Sequence, residues 1–303
     1  MTATATTPAT NPPLANHRLR TLGAVSFTVL AWASAFIGIR WVGEHYTAGP
    51  LAFGRLLIGT LALGAGVLAS RRTWVRPNRT EWLLITLCGV AWFGIYNIAL
   101  NAAERRVDAG TAAMLVNLGP ILIALFAGFL LREGFPRWLL IGAAVAFTGV
   151  VLIGIPSARN SDAGDGMVLG VVLLLVAAVT YAIGVLAQKP TLRRLPALQV
   201  TWLACTIGTL TCLPFAPGFV RELADSPAGP TAGLVYLGLV PTALAFGTWG
   251  YALARMDAGR LGITTYVVPP LAVLGGWVLL GETPAALVGG AVCLVGVALS
   301  RRR

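Results

Sequence analysis

The sequence predicts an all-α integral membrane protein with ten transmembrane helices, arranged as two inverted five-helix repeats. Three observations lead there: a composition too apolar for a water-facing globule, ten apolar runs of spanning length, and an internal repeat with an odd number of runs per half. Of the 303 residues, 57% are hydrophobic and 11% are charged, whereas soluble domains carry about a quarter charged residues. The mean hydropathy of +0.80 leaves too little polar surface to face water.

A lipid-spanning helix needs about 20 mostly apolar residues. Such runs occupy 20–39, 49–69, 82–102, 109–131, 136–155, 167–187, 198–216, 231–254, 258–280 and 284–300. Residues 1–19, rich in Thr, Ala, Pro and Asn, read as a disordered cytoplasmic tail. Ala31-Trp32-Ala33 faintly resembles a signal-peptidase site, but the apolar run continues to Ile39 and nine more follow, so the first helix is expected to be retained.

The arginines and the single lysine sit in short clusters between the runs rather than on an amphipathic basic face. The net charge of +11 therefore points to membrane topology and not to nucleic acid. Sixteen basic residues fall in the two tails and the even-numbered loops or at the adjoining span ends, five in the odd-numbered loops, and Arg55 alone lies well inside a span. This asymmetry puts both termini in the cytoplasm of a multi-pass inner-membrane protein. Cys88, Cys205, Cys212 and Cys293 all lie in apolar runs without a C-x-x-C or a nearby His, so neither a metal nor a disulfide framework is implied.

Sliding the chain on itself by 149 residues lays 107–133 on 256–282 with no gap and nine identities in 27. Among these, Asp108-Ala109-Gly110 falls on Asp257-Ala258-Gly259, Pro120 on Pro269, and Glu133 on Glu282. The same offset carries Gly59-Thr60-Leu61 onto Gly208-Thr209-Leu210, Gly89 onto Gly238, and Arg40 onto Lys189. Two repeats follow, 20–155 and 167–300, each of five spans. An odd number makes the second insert upside down, an architecture of secondary transporters whose substrate site lies mid-membrane between the halves.

On these residues the sequence resembles the drug/metabolite transporter superfamily, and within it the ten-helix EamA-type exporters. The resemblance rests on Trp32, Phe53-Gly54-Arg55-Leu56, Asp108-Ala109-Gly110 through Leu118-Gly119-Pro120, Leu131-Arg132-Glu133 and Leu280-Gly281-Glu282. It covers nearly the whole chain and implies a single-chain carrier that exports small metabolites, amino acids or drugs.

The candidate substrate cavity is built from Trp32, Arg55, Tyr96, Asn97, Asn117, Tyr181, Trp249 and Tyr266, with helix kinks at Pro120 and Pro269. Each proline frees the carbonyl four residues earlier, on Val116 and Thr265, and such carbonyls need a partner or a water-lined cavity. Asn117 and Tyr266 superpose under the offset, as do Trp32 and Tyr181; Asn117 could instead bond a neighbouring helix, and the rings could face lipid. Asn97 and Asn101 share a helical face, with Asn101 near the helix end. Arg55 lies about 9 Å into its span by helix rise and either faces the cavity, favouring a carboxylate, or snorkels outward.

No acidic residue is expected deep in a span, which argues against a proton relay and for a facilitator-like mechanism. No phosphate-binding G-x-x-x-x-G-K-[ST] loop exists, so no cofactor is expected and ATP is not hydrolysed. With only His17 and His45, both outside the spans, no enzyme chemistry is implied. Glycines at seven-residue spacing in the fifth and tenth spans, Gly142 with Gly149 and Gly289 with Gly296, mark scaffold helices. The expected partners are a small neutral or zwitterionic solute and the lipid bilayer; the oligomeric state stays open. A channel or lipid scramblase using the same cavity is the alternative.

Overall fold

In the computed structural model the described residues are 14–70, 73–123, 126, 137–138, 141–142, 144–145, 148–149, 164–256, 258–281 and 287–299. Among them the chain is helical, with no strand. Five helical stretches are long and apolar enough to cross a membrane: Leu19–Val42, Ala48–Ala69, Arg79–Glu104, Gly166–Thr191 and Ala228–Leu253. Most of the fifth expected span, and residues 1–13 of the expected tail, lie outside the described residues, as do Glu133, Asp257 and Glu282, whereas 14–19, expected to be disordered, are the first residues of a helix.

Helix α1 (Leu14–Val42) is followed by α2 (Ala48–Ala69), then by α3 (Arg79–Cys88) and α4 (Tyr96–Glu104), which a π-helical stretch at Gly89–Ile95 joins into one span. Helix α5 (Ala109–Val116) stops at Asn117, and helical backbone resumes at Gly119. The second half runs through α6 (Gly164–Thr191), α7 (Ala197–Thr211), α8 (Ala216–Asp225) and α9 (Ala228–Leu237). A second π-helical stretch, Gly238–Leu244, leads into α10 (Ala245–Leu253); α11 (Ala258–Thr264), α12 (Val268–Leu280) and α13 (Leu287–Leu299) follow.

The local sequence explains the ends and breaks. Asn78 and Glu81 form a reciprocal capping box at the start of α3, and the Asp108 side chain accepts from Thr111 N at the start of α5. Pro120 and Pro269 lack a backbone donor, and the chain ahead of each departs from α-geometry: a turn at Asn117–Leu118 and a 3₁₀ turn at Thr265–Val267. The expected seventh span, 198–216, is shorter than its run. Helix α7 ends at Thr211, and the chain bends by 51° into α8, because Pro214 and Pro217 cannot donate to a continuing helix. Gly281 ends α12 with φ 68°, a conformation in which a side chain would be strained.

The repeat is structural as well as sequential. The π-helical stretches begin 149 residues apart, as do α2 and α7, and α4 and α10. Thr60 and Thr209, equivalent under that offset, meet with their hydroxyls 2.8 Å apart, which happens only on a two-fold axis. Contacts on either side of this axis are reciprocal: Gly89 packs on Ile207 and Ala204 O, and Gly238 on Ile58 and Arg55 O. A methyl at either glycine would come within 2.7 Å of its neighbour, so these helices can approach this closely only through glycine. Along α2 and α7, Gly66 meets Leu198, Gly64 meets Trp202, and Thr60 meets Cys205 and Thr209. Residue numbers rise on one helix as they fall on the other, so equivalent helices are antiparallel and the halves are inverted. Large apolar side chains such as Leu61, Leu68, Leu83, Trp277 and Leu279 are exposed, as a lipid-facing surface requires.

Candidate functional site

A small cavity of about 50 Å³, partly open to its surroundings, lies between the halves. Its wall on α1 runs from Trp32 through Phe36 to Ile39, toward the C-terminal end of that helix. Arg55, Tyr96 and Leu100 come from α2 and α4, Trp92 and Phe246 from or beside the π-helical stretches, and Asn117 and Thr265 from the two broken helices. Tyr181 of α6 completes the wall.

The structure brings together five of the expected site residues: Trp32, Arg55, Tyr96, Asn117 and Tyr181. Asn97 is buried and turns back on its own helix. Its Nδ2 donates to Phe93 O at 2.8 Å and Trp92 O at 3.3 Å, carbonyls that the π-helical turn leaves available. Trp249 lies one layer away, its ring centroid 4.9 Å from that of Trp32. Tyr266 is half-buried against the core and is not part of the wall. Asn101 lies outside the wall too, donating to Ala48 O at 3.2 Å. The Asn117 amide donates to Ala113 O at 3.0 Å, and Thr265 Oγ1 approaches its Oδ1 at 3.4 Å.

Trp92 and Phe246, which the sequence reading missed, are central to the wall. The Trp92 ring centroid lies 5.2 Å from Tyr181 and 4.9 Å from Phe246, and Trp32 stands 5.4 Å from Phe246. Edge-on and tilted packing of this kind fixes the rings against one another. Phe246 is the offset counterpart of Asn97, so the position was visible in the repeat while its residue type was not. Thr242 is the second omission: it accepts from Arg55 Nε at 3.2 Å and donates to Leu237 O at 2.8 Å.

Arg55 is 3% exposed, so it faces the protein and does not snorkel. One expectation needs correcting: Glu104 is only 1% exposed, although it ends α4. The end of that helix is covered, because Arg40 Nη1 donates to Glu104 O at 2.8 Å and Arg105 Nη1 to Tyr46 O at 3.2 Å. A carboxyl group is therefore buried at the end of α4 without lining the wall. In the second half Lys189 Nζ donates to Leu253 O at 2.6 Å, the offset counterpart of the Arg40 contact. Both cations sit at helix C-termini, where the helix dipole favours them.

The EamA-like transporter family matches the chain twice, over residues 20–155 and 168–302. A protein of Streptantibioticus cattleyicolor named as a probable terminal-alkyne amino-acid exporter is 37% identical over 92% of this chain and 93% of its own length. The uncharacterized transporter YdfC of Bacillus subtilis is 34% identical over 90% of this chain and 88% of its own. A solved crystal structure shares the fold at a TM-score of 0.63 and 22% identity, covering 94% of this chain and 96% of that one.

Proposed function

The chain belongs to the EamA-like transporter family and is a multi-pass membrane transporter, and from that premise we propose that it exports small amphipathic metabolites, amino-acid-like solutes among them, by alternating access. The observation that carries this reading is an asymmetry. The halves repeat each other in sequence and in helix breaks, yet the cavity is developed on one side of the Trp32–Tyr181 layer. Its residues Phe36, Ile39, Arg55, Tyr96 and Leu100 line the cavity, whereas their counterparts Val185, Gln188, Ala204, Ala245 and Trp249 do not, although all of these but Tyr96 are buried on both sides.

Among those buried counterparts, both amide atoms of Gln188 and Nε1 of Trp249 have no hydrogen-bond partner. Burying such groups costs free energy that water restores, so they mark a second vestibule, closed here and opened when the halves exchange conformations. By the basic-residue count the open cavity faces away from the cytoplasm and the closed one toward it, with both termini cytoplasmic, the protein in the inner membrane, and residues 20–155 and 167–300 as the exchanging units. The amino-acid class is supported by the name of the Streptantibioticus relative.

Counterflow in proteoliposomes tests this. Vesicles loaded with an unlabelled neutral amino acid, with labelled tracer outside and equal pH on both sides, are expected to accumulate tracer transiently. A channel or scramblase shows no such overshoot. Dependence on an imposed pH difference would replace uncoupled exchange with proton coupling.

A further inference from the structure

We infer that Arg55 anchors a carboxylate group of the transported solute while the aromatic wall takes its apolar body. The substrate class is then small carboxylates with an apolar or unsaturated tail, apolar amino acids among them. The inference rests on the carrier reading above and adds to it the chemical group recognised and the residue that recognises it.

Three features of the cavity converge on this. Arg55 is buried within the wall and held by its Nε bond to Thr242, whose own hydroxyl proton is committed to Leu237 O. That bond fixes the guanidinium plane, while Nη1 is buried with no hydrogen-bond partner. Among the described residues no acidic side chain lines the wall.

A carboxylate supplies the missing acceptor and a counter-charge for the buried guanidinium, and its two oxygens suit the guanidinium fork. Away from Arg55 the wall is Trp32, Trp92, Tyr181 and Phe246, which fits an apolar or unsaturated tail. Where the solute is an amino acid, its ammonium group can meet the ring faces and Asn117 Oδ1, since the Asn117 amide is already spent on Ala113 O.

The test uses the full-length protein in proteoliposomes, with labelled L-norvaline as tracer and four unlabelled competitors: norvaline, pentanoate, norvalinamide and butylamine. Norvaline and pentanoate are expected to compete roughly ten- to hundredfold better than the amide and the amine, the range of a charged hydrogen bond. In Arg55→Gln that discrimination is expected to collapse to about twofold or less, and Arg55→Lys, which keeps the charge without the fork, to fall between. Intrinsic tryptophan fluorescence titrated with norvaline and norvalinamide in detergent reads the same selectivity if a variant loses flux. Equal competition by acid and amide in the unaltered protein, or undiminished selectivity in Arg55→Gln, overturns the anchor and leaves the carrier standing. Absence of norvaline counterflow by protein that elutes as a single species overturns the carrier reading for this class, and the anchor with it.

Discussion

Thr242 shows how much of the site hangs on one hydroxyl. It is fully buried, orients Arg55 and satisfies Leu237 O. Thr242→Val keeps the methyl that packs on Gly59 but strands both partners, and is expected to cost about 1–3 kcal/mol. Thermal unfolding in detergent should report that loss, and tracer KM should rise more than maximal flux falls. Gly119 is limiting in a different way, since a methyl there would run into the Tyr181 ring. That ring is held by Trp92 at 5.2 Å and Trp249 at 6.4 Å and has nowhere to turn. Gly119→Ala is expected to destabilise by about 1–3 kcal/mol, with weaker substrate binding in the fluorescence titration; unchanged binding would place Tyr181 outside the site. Trp32, Arg55, Asn117 and Tyr181 were legible in the sequence because polar, charged and aromatic residues stand out in apolar spans. Asn97 and Trp249 are just as conspicuous, but their roles depend on helix geometry that residue type does not disclose.

At the scale of elements, the two π-helical stretches at Gly89–Ile95 and Gly238–Leu244 are features that periodicity does not announce. Each widens its helix and releases carbonyls; Asn97 collects those of Trp92 and Phe93, and Thr242 that of Leu237. Asn97→Ala is expected to lower stability by about 0.5–2 kcal/mol, the range for polar contacts within membranes, as measured by thermal unfolding. The helix breaks at Asn117 and Thr265 were legible because the prolines that cause them are in the sequence, whereas burial of Glu104 at a helix end was not, because tertiary cover decides it. The link between segment 73–78 and the second half is also tertiary. Arg194 pairs with Glu81 and donates to Arg76 O at 2.8 Å, and the Gln199 side chain bonds both N and O of Val75. The opposite end carries its counterpart, where Thr47 N and Oγ1 donate to Glu222 of α8 at 2.9 and 2.6 Å. If the first link holds the closed vestibule shut, Glu81→Gln shifts the population toward its opening. Arg194 is half-exposed, so the pair is weak and the shift is modest, readable as faster labelling of Gln188→Cys.

For the whole molecule, the all-helical class, five of the ten expected spans and the inverted repeat followed from composition, run length and one offset. The seventh run departs from its expected span and splits at Pro214, because proline outweighs apolarity there. What no single half discloses is the state of the assembly: symmetry requires two equivalent vestibules, and the structure opens one. The axis through Thr60 and Thr209 relates Ile39, which lines the cavity, to Gln188, which does not, both being buried. The most direct measurement places single cysteines at these two positions in a background freed of the native cysteines and labels each with a membrane-impermeant thiol reagent from either side. Alternating access predicts that Ile39→Cys reacts from the side away from the termini and Gln188→Cys from the side of the termini. Substrate should change the two rates in opposite directions. Simultaneous labelling of both positions, unmoved by substrate, would describe a continuous pore, and a Gln188→Cys that never reacts would mean that the second vestibule does not open.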